Sequence, residues 1–146
     1  MISDNKLISH SPEETAEAGK HFAGSLKINS VVGLYGDLGS GKTQFVKGIC
    51  SYFNIKDTVS SPTFILVNEY TAKDVISDSD FPVYHFDLYR LKNISELREI
   101  GFKNYISSES ICIIEWAELA EDYLQNNIIK IFFQYGEKEN ERIINF

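Results

Sequence analysis

Residues 36–43 constrain the fold of this chain more than any other part of its sequence. They fill the pattern Gly-x-x-x-x-Gly-Lys-Thr with Gly36, Gly41, Lys42 and Thr43. Glycines let successive backbone N–H groups turn towards phosphate oxygens, and the N-terminus of a following helix also favours an anion. We therefore predict a loop that binds the phosphates of a nucleoside triphosphate, formed by Gly36, Asp37, Leu38, Gly39, Ser40, Gly41, Lys42 and Thr43.

The segments on either side of this loop have the character that such a loop requires. Residues 31–35 are a short apolar run bounded by turn residues, which predicts a buried strand. Residues 42 to about 53 carry apolar side chains at helical spacing, so an amphipathic helix is expected to follow. Lys42 is predicted to reach the terminal phosphates, and the Thr43 hydroxyl is predicted to ligate Mg²⁺.

The rest of the chain alternates predicted strands with predicted helices. This order predicts an α/β protein, a small P-loop NTPase with a mostly parallel central sheet flanked by helices and a C-terminal β-hairpin. Ser11 is predicted to cap the first helix, with Pro12 at its first position and Glu14 completing a capping box. We expect strands over 6–9, 64–70, 82–87, 111–115, 128–135 and 142–146. Helices are expected over 11–26, 95–100 (capped by Ser95) and 117–124. Residues 71–80 are expected to form a mobile polar loop. Residues 1–146 are expected to form a single domain.

The composition restricts the partners and the cellular compartment. The formal net charge is −7, so no basic face for binding nucleic acid is expected, and any RNA would be held by a partner protein. Cys50 and Cys112 lie far apart in the sequence and in no metal-binding spacing, which is typical of a reduced cytoplasmic protein. No run of residues is long and apolar enough to cross a bilayer.

Two acidic residues follow apolar runs at positions where an α/β sheet binds its ligand. Asp87 and Glu115 each end a predicted strand, and the carboxyl ends of parallel strands face the ligand crevice. Either acid is expected to hold Mg²⁺, directly or through water, while the other orients the attacking water. His85 shares a strand face with Asp87, and it either orients a carboxylate or is a structural histidine.

Two further residues are candidates for the site from their positions alone. Thr63 lies between the predicted loop helix and the next strand, where P-loop proteins often have a threonine that responds to the γ-phosphate. A plain proline-containing turn explains that segment equally well. Trp116 follows Glu115 and would either stack on a base or a partner or pack in the core.

The sequence also narrows the class of P-loop protein. Residues 54–57 contain the letters of a guanine-reading motif in the wrong order, which argues against a GTPase. The polar loop 71–80 has no arginine and so does not resemble the lid of a small-molecule kinase. A minimal ATPase that acts on a partner is the interpretation that remains.

Four motifs in order along the chain resemble those of the bacterial TsaE (YjeE) ATPases. The resemblance extends from the first helix to the C-terminal hairpin. The matching segments are residues 35–43, 61–64, 85–91 and 115–118. It implies an ATPase that binds the TsaB–TsaD pair and is needed for repeated threonylcarbamoyl transfer to adenosine 37 of tRNAs that read codons beginning with A. The tRNA itself would be held only indirectly, and the ATPase would be weak without its partners.

The resemblance also implies roles for individual residues. ATP phosphates would bind residues 38–43, Thr43 and Glu115 would ligate Mg²⁺ with Asp87 close by, and Thr63 would be switch-like. Trp116 would lie beside the site. The base would lie between the region of Pro12 and the hairpin near Glu139. The catalytic set is therefore Lys42, Thr63, Asp87 and Glu115.

Two other functions remain open at this point. In the first, the protein is a nucleotide-dependent binding switch in which hydrolysis is incidental. In the second, it is a small-molecule kinase that transfers the γ-phosphate to a metabolite. The sequence does not determine the oligomeric state.

Overall fold

The computed structural model describes residues 5–60, 66–124 and 128–146 of the chain. Seven strands are present in this part of the chain: β1 Lys6–Ser9, β2 Val31–Tyr35, β3 Val67–Lys73, β4 Asp80–Asp87, β5 Ile111–Glu115, β6 Ile129–Tyr135 and β7 Arg142–Asn145. Its helices are α1 Pro12–Ala23, α2 Lys42–Tyr52, α3 Ser95–Glu99 and α4 Phe102–Ile106, with a 3-10 segment over Ala117–Tyr123.

All seven strands belong to one sheet with a parallel centre and antiparallel edges. The strand order is β1-β7-β6-β2-β5-β4-β3. Strand β2 pairs in parallel with β5 and β6, and β5 pairs in parallel with β4. The pairs β1–β7, β6–β7 and β3–β4 are antiparallel. The predicted α/β class, mostly parallel centre and C-terminal hairpin are confirmed.

Helices cover both faces of this sheet, which explains why its central strands are apolar without interruption. In β5, Ile111 and Ile113 pack on the face covered by α1 and α2. The alternate residues Cys112 and Ile114 face the other layer, which includes Leu97 of α3 and residues of α4 and the 3-10 segment. Because successive strand residues point to opposite faces, one short run contributes to both cores.

The capping of α1 differs in one detail from the prediction. Ser11 is the N-cap, its side chain accepts the N–H of Glu14 at 3.1 Å, and Pro12 occupies the first helical position, as expected. The Glu14 carboxylate, however, accepts the N–H of His10 at 2.7 Å, one residue before the cap. The helix ends at Ala23 rather than near residue 26 because Gly24, Ser25 and Leu26 continue in tight turns.

The prediction of a polar loop over 71–80 was wrong. Strand β3 continues to Lys73, β4 begins at Asp80, and these two residues are register partners joined by a 2.8 Å ion pair. The reason is that Tyr70 and Ala72 are buried. Buried and more exposed side chains therefore alternate through this segment, as they do in a half-buried strand, although several of its residues are polar. The connection is shorter than predicted, and its Asp74 side chain accepts the N–H groups of Ile76 and Ser77.

Further details also differ from the prediction. Strand β3 begins at Val67, and residues 64 and 65 of the predicted strand lie outside the described residues. Ser95 does not cap α3; the side chain of Asn93 accepts its N–H at 3.0 Å instead. Gly101, with φ of 75°, ends that helical turn and begins α4, which the sequence did not predict.

Helices α1 and α2 approach each other closely at two glycines. A Cβ on Gly48 would lie 1.8 Å from the carbonyl oxygen of Ala16, and one on Gly19 would lie 2.1 Å from that of Phe45. Both contacts are with backbone atoms, so a side chain at either position would push the helices apart. Since α2 carries Lys42 and Thr43 at its start, this packing also determines where the phosphate loop ends.

We expect Gly48→Ala to lower the free energy of unfolding by about 3 kcal/mol, because overpacking against backbone cannot be relieved by a rotamer change. Thermal melting monitored by circular dichroism measures the effect. Gly24→Ala is the matched control, since a Cβ there approaches no atom closer than 3.4 Å. Equal melting temperatures for the two variants would contradict the proposed close contact.

Across the described residues, no helix has both the length and the apolar character needed to span a bilayer.

Candidate active site

The predicted phosphate loop and both predicted acids meet at the carboxyl ends of the three neighbouring parallel strands β2, β5 and β4. Loop 36–41 leaves β2, Glu115 ends β5 and Asp87 ends β4. Asp87 and Glu115 are register partners in the β4–β5 ladder, which brings the two acids side by side. A cavity of about 240 Å³ opens here, lined by Leu38, Gly39, Ser40, Gly41, Lys42, Thr43, Gln44, Asp87, Tyr89, Glu115 and Trp116.

The loop adopts a backbone shape that requires glycine. Gly36, Gly39 and Gly41 all have positive φ, at 150°, 77° and 105°. Gly36 also has no room for a side chain, since a Cβ there would lie 2.7 Å from the carbonyl oxygen of Phe133. The neighbouring Ser40 hydroxyl is buried and has no hydrogen-bond partner within the described part of the chain, so a polar group of a ligand could satisfy it.

The C-terminal hairpin braces this loop from the outside. The Tyr135 hydroxyl donates to the carbonyl of Leu38, and Nε of Arg142 donates to the carbonyl of Gly39 at 3.2 Å. The Arg142 guanidinium also lies 4.7 Å from the centre of the Tyr135 ring, so the two side chains support each other. Neither residue was a candidate at the sequence level, because contacts between residues 97 and 103 positions apart leave no local signal.

Lys42 is folded back onto its own loop. Its Nζ donates to the carbonyls of Gly36 and, at 3.1 Å, of Asp37, and it lies 3.9 Å from the centre of the Trp116 ring. Burial lowers the pKa of this amine, and the carboxylates of Glu115, Glu118, Asp87 and Asp37 act in the opposite direction. An amine held by backbone carbonyls and an aromatic face is well placed to exchange those partners for phosphate oxygens.

Glu115 is the most enclosed acid of the site, at 2% exposure. One carboxylate oxygen accepts the hydroxyl of Thr43 at 2.8 Å, and the other lies 2.5 Å from Nε2 of His85. Both oxygens are therefore oriented by side chains from neighbouring elements. His85 does orient a carboxylate, but it is Glu115 on the adjacent strand and not Asp87 on its own strand.

Asp87 and the two aromatic residues Tyr89 and Trp116 also line the cavity. An oxygen of Asp87 accepts the N–H of Tyr89 at 3.0 Å, which holds the carboxylate at the end of β4. The Tyr89 ring packs on Trp116 with centroids 5.1 Å apart. Trp116 has φ of 59°, so the chain turns sharply after Glu115 and directs the ring towards Lys42.

The donor atoms at the cavity match the preferences of Mg²⁺. A hydroxyl from Thr43 and carboxylates from Glu115 and Asp87 are hard oxygen ligands, which this ion favours. Within the described residues, no group of three or more His, Cys, Asp or Glu side chains could hold a metal on its own.

Not every predicted site residue lies at this cavity. Gly36, Asp37, Pro12 and Glu139 do not line it. The elements of Pro12 and Glu139 nevertheless touch the loop: Thr15 of α1 lies against Gly41, and Arg142, which donates to the carbonyl of Glu139, also donates to that of Gly39. The assignment of Pro12 and Glu139 to the base remains a prediction. Thr63 lies outside the described residues. Tyr89 and Gln44 line the cavity but were not predicted, although Tyr89 is only two residues after Asp87.

Comparison with known proteins gives consistent results over nearly the whole chain. A family model described as "Threonylcarbamoyl adenosine biosynthesis protein TsaE" matches residues 9–144. The "tRNA threonylcarbamoyladenosine biosynthesis protein TsaE" of Bacillus subtilis (strain 168) is 37% identical over 135 residues, covering 92% of this chain and 80% of that protein. A protein of the same name from Rickettsia bellii (strain RML369-C) is 39% identical over 132 residues, covering 90% of this chain and 87% of that one.

A solved structure agrees with these sequence matches. The crystal structure of YdiB from Bacillus subtilis aligns with a TM-score of 0.79 and 32% sequence identity, covering 100% of this chain and 86% of that chain. The fold described above is therefore shared with an experimentally determined protein.

Proposed function

The chain belongs to the TsaE family of tRNA threonylcarbamoyladenosine biosynthesis proteins, and we propose that within this process it is a Mg²⁺-dependent ATPase. In this proposal it acts in the cytoplasm, binds the TsaB–TsaD pair, and supports threonylcarbamoyl transfer to adenosine 37 of tRNAs that read codons beginning with A. The hydrolysis of ATP to ADP and phosphate would allow that pair to act repeatedly.

The observation that carries the ATPase proposal is the contact between Glu115 and Thr43. A buried carboxylate accepts the hydroxyl of the phosphate-loop threonine at 2.8 Å, at the mouth of a glycine-rich loop. In a P-loop ATPase, side-chain oxygens at these two positions bind the metal and orient the attacking water. A protein that only bound phosphate would not need a buried carboxylate beside the loop threonine.

The roles of the individual residues follow from their positions. The N–H groups of the loop and the Lys42 amine would hold the phosphates and stabilise the charge that develops during hydrolysis. Bound Mg²⁺ would supply further neutralisation of that charge. Glu115 and Asp87, side by side at the strand ends, would orient the attacking water. Trp116 and Tyr89 would exclude bulk water from one side of the cavity.

The negative charge of the chain supports the proposal that partner proteins, and not this chain, bind the tRNA. A net charge of −7 does not favour direct contact with tRNA phosphates, so the RNA would be bound by the other proteins. The cavity is also small, at about 240 Å³, which leaves little space for a second substrate beside a triphosphate.

The proposal is tested by reconstituting the reaction with purified proteins. We expect slow phosphate release from Mg-ATP by the chain alone and faster release when TsaB and TsaD are added. With ATP, the chain should also allow many rounds of tRNA modification per TsaB–TsaD pair, measured by mass spectrometry of digested tRNA. Omitting Mg²⁺ is the control. Multiple rounds without ATP hydrolysis, or no effect of the chain on turnover, would refute the proposal.

A further inference from the structure

A buried series of hydrogen bonds connects the phosphate-loop threonine with the protein surface. It begins at Thr43, whose hydroxyl donates to Glu115 at 2.8 Å, and continues to Nε2 of His85 at 2.5 Å. Nδ1 of His85 lies 3.0 Å from the Tyr70 hydroxyl, which lies 3.2 Å from the carbonyl oxygen of Ser60. Ser60 is an exposed residue, so the series reaches from the candidate active site to the protein surface.

The chemistry of the groups sets the direction of these bonds. An ionised carboxylate can only accept, so Nε2 of His85 must carry the hydrogen that it shares with Glu115. In the neutral imidazole Nδ1 is then an acceptor, and the Tyr70 hydroxyl is its donor. A hydroxyl has one hydrogen, so the carbonyl of Ser60 competes with His85 for it. The Asn68 amide, 3.0 Å from the same carbonyl, is a second donor to Ser60.

The polar character of this series is unusual for its location. His85 is 0% exposed and Tyr70 is 3% exposed, and their strand neighbours on the same face, Val83 and Ala72, are apolar and fully buried. Apolar residues would fill this space without the cost of burying polar atoms. A connected buried network does confer a specific geometry, since each member fixes the orientation of the next.

We propose that His85 and Tyr70 are positioning residues that hold Glu115 against Thr43 and transmit a change at that carboxylate to the backbone at Ser60. When Thr43 and Glu115 take up the ligand, His85 moves with the carboxylate, and the single hydrogen of Tyr70 redistributes between His85 and Ser60. The backbone at Ser60 thereby reports the state of the nucleotide site. This inference rests on the proposed function, because it assigns a regulatory output to the same site.

Tyr70→Phe is the variant that tests the proposal, because it removes only the hydroxyl and keeps the ring. Tyr84→Phe is the matched control: this tyrosine lies on the adjacent strand, but it packs on the opposite face of the sheet, away from the series. Thermal melting of both variants verifies that they are folded. Trp116, the only tryptophan, provides a fluorescence readout of nucleotide binding at the site.

The first measurement is the carbonyl ¹³C chemical shift of Ser60, which is sensitive to hydrogen bonds that this carbonyl accepts, followed by NMR with and without Mg²⁺ and a non-hydrolysable ATP analogue. In the wild type and in Tyr84→Phe, we expect the ligand to shift this resonance, because the Tyr70 hydroxyl changes its hydrogen bond to the carbonyl. In Tyr70→Phe, we expect that response to be lost while the Trp116 titration still shows binding. A full response in Tyr70→Phe, or no response in the wild type, would overturn the proposal.

The second measurement separates positioning from structural support. Tyr70→Phe should lower kcat for ATP about five-fold and leave KM within about two-fold, because it disturbs the carboxylate rather than the phosphate loop. His85→Gln keeps an N–H that can reach Glu115 and should retain more activity than His85→Leu. Equal losses in the two His85 variants would contradict the positioning role.

The two proposals fail in distinguishable ways. If the wild-type chain binds the Mg-nucleotide, shifts the Ser60 carbonyl resonance through Tyr70 and yet never hydrolyses ATP, the relay stands and the ATPase proposal falls. If hydrolysis proceeds normally and Tyr70→Phe changes neither kcat nor the response of the Ser60 carbonyl, the ATPase proposal stands and the relay falls.

Discussion

Replacing Lys42 with alanine is expected to reduce ATP hydrolysis by about 100-fold, the scale of one preorganised charge-stabilising donor. The amine lies in the loop with only 5% of the residue exposed, held by the carbonyls of Gly36 and Asp37 and the face of Trp116. No other lysine lines this cavity, so no nearby amine can take its place among the described residues. Phosphate release from Mg-ATP measures the loss.

Lys47→Ala is the matched control for this variant. Lys47 lies on the same helix, but it is exposed and does not line the cavity. Removing it changes the net charge equally, so it separates the local role of Lys42 from a general electrostatic effect. Hydrolysis by Lys42→Ala within about two-fold of wild type would exclude the proposed role of the loop.

The second large effect is expected for Glu115→Gln, which should reduce hydrolysis by about 100-fold while leaving ATP binding nearly intact. The carboxylate accepts hydrogen bonds at both oxygens, from Thr43 and from His85. A glutamine keeps only one acceptor oxygen, so its NH₂ group faces Thr43 or His85, and either the hydroxyl must turn to accept or the imidazole must change tautomer. We therefore also expect a loss of about 1–2 kcal/mol in the free energy of unfolding.

This variant also separates hydrolysis from nucleotide-dependent switching. Binding is measured by Trp116 fluorescence, and turnover is measured as rounds of tRNA modification with the TsaB–TsaD pair. Glu109→Gln, an exposed acid just before β5, is the control. If Glu115→Gln binds ATP, does not cleave it and still supports many rounds, the protein is a switch and not an energy-consuming ATPase.

Much of the local structure was predictable from short patterns. The α1 cap at Ser11, the buried strand over 31–35 and the helix after the phosphate loop each depend on neighbouring residues, and the structure contains all three. Where prediction failed, the cause was non-local. The polar residues 71–73 looked like a loop, but pairing with β4 and burial of Ala72 hold them in a strand. Tertiary pairing thus outweighed composition.

The candidate site likewise combines features that local patterns predict with contacts that they do not predict. The loop over 36–41 was predictable because it is one contiguous segment, whose glycines carry the backbone shape that a phosphate-binding loop requires. The two acids were predictable only as strand ends. Their hydrogen-bond partners were not predictable, because the contacts of Glu115 with Thr43 and His85 depend on the strand order β2-β5-β4. That order does not follow the order of the strands along the chain.

The sequence alone therefore determined that the chain has a glycine-rich loop between a buried strand and a helix, since that motif is continuous in the chain. Only the tertiary structure decided which side chains complete it. Sheet pairing places β4 beside β5 and β5 beside β2, which brings residues 43, 85 and 115 into hydrogen-bonding distance. It also brings Tyr135 and Arg142 onto the loop from the far end of the chain. Such contacts depend on packing between distant segments, and no local pattern encodes them.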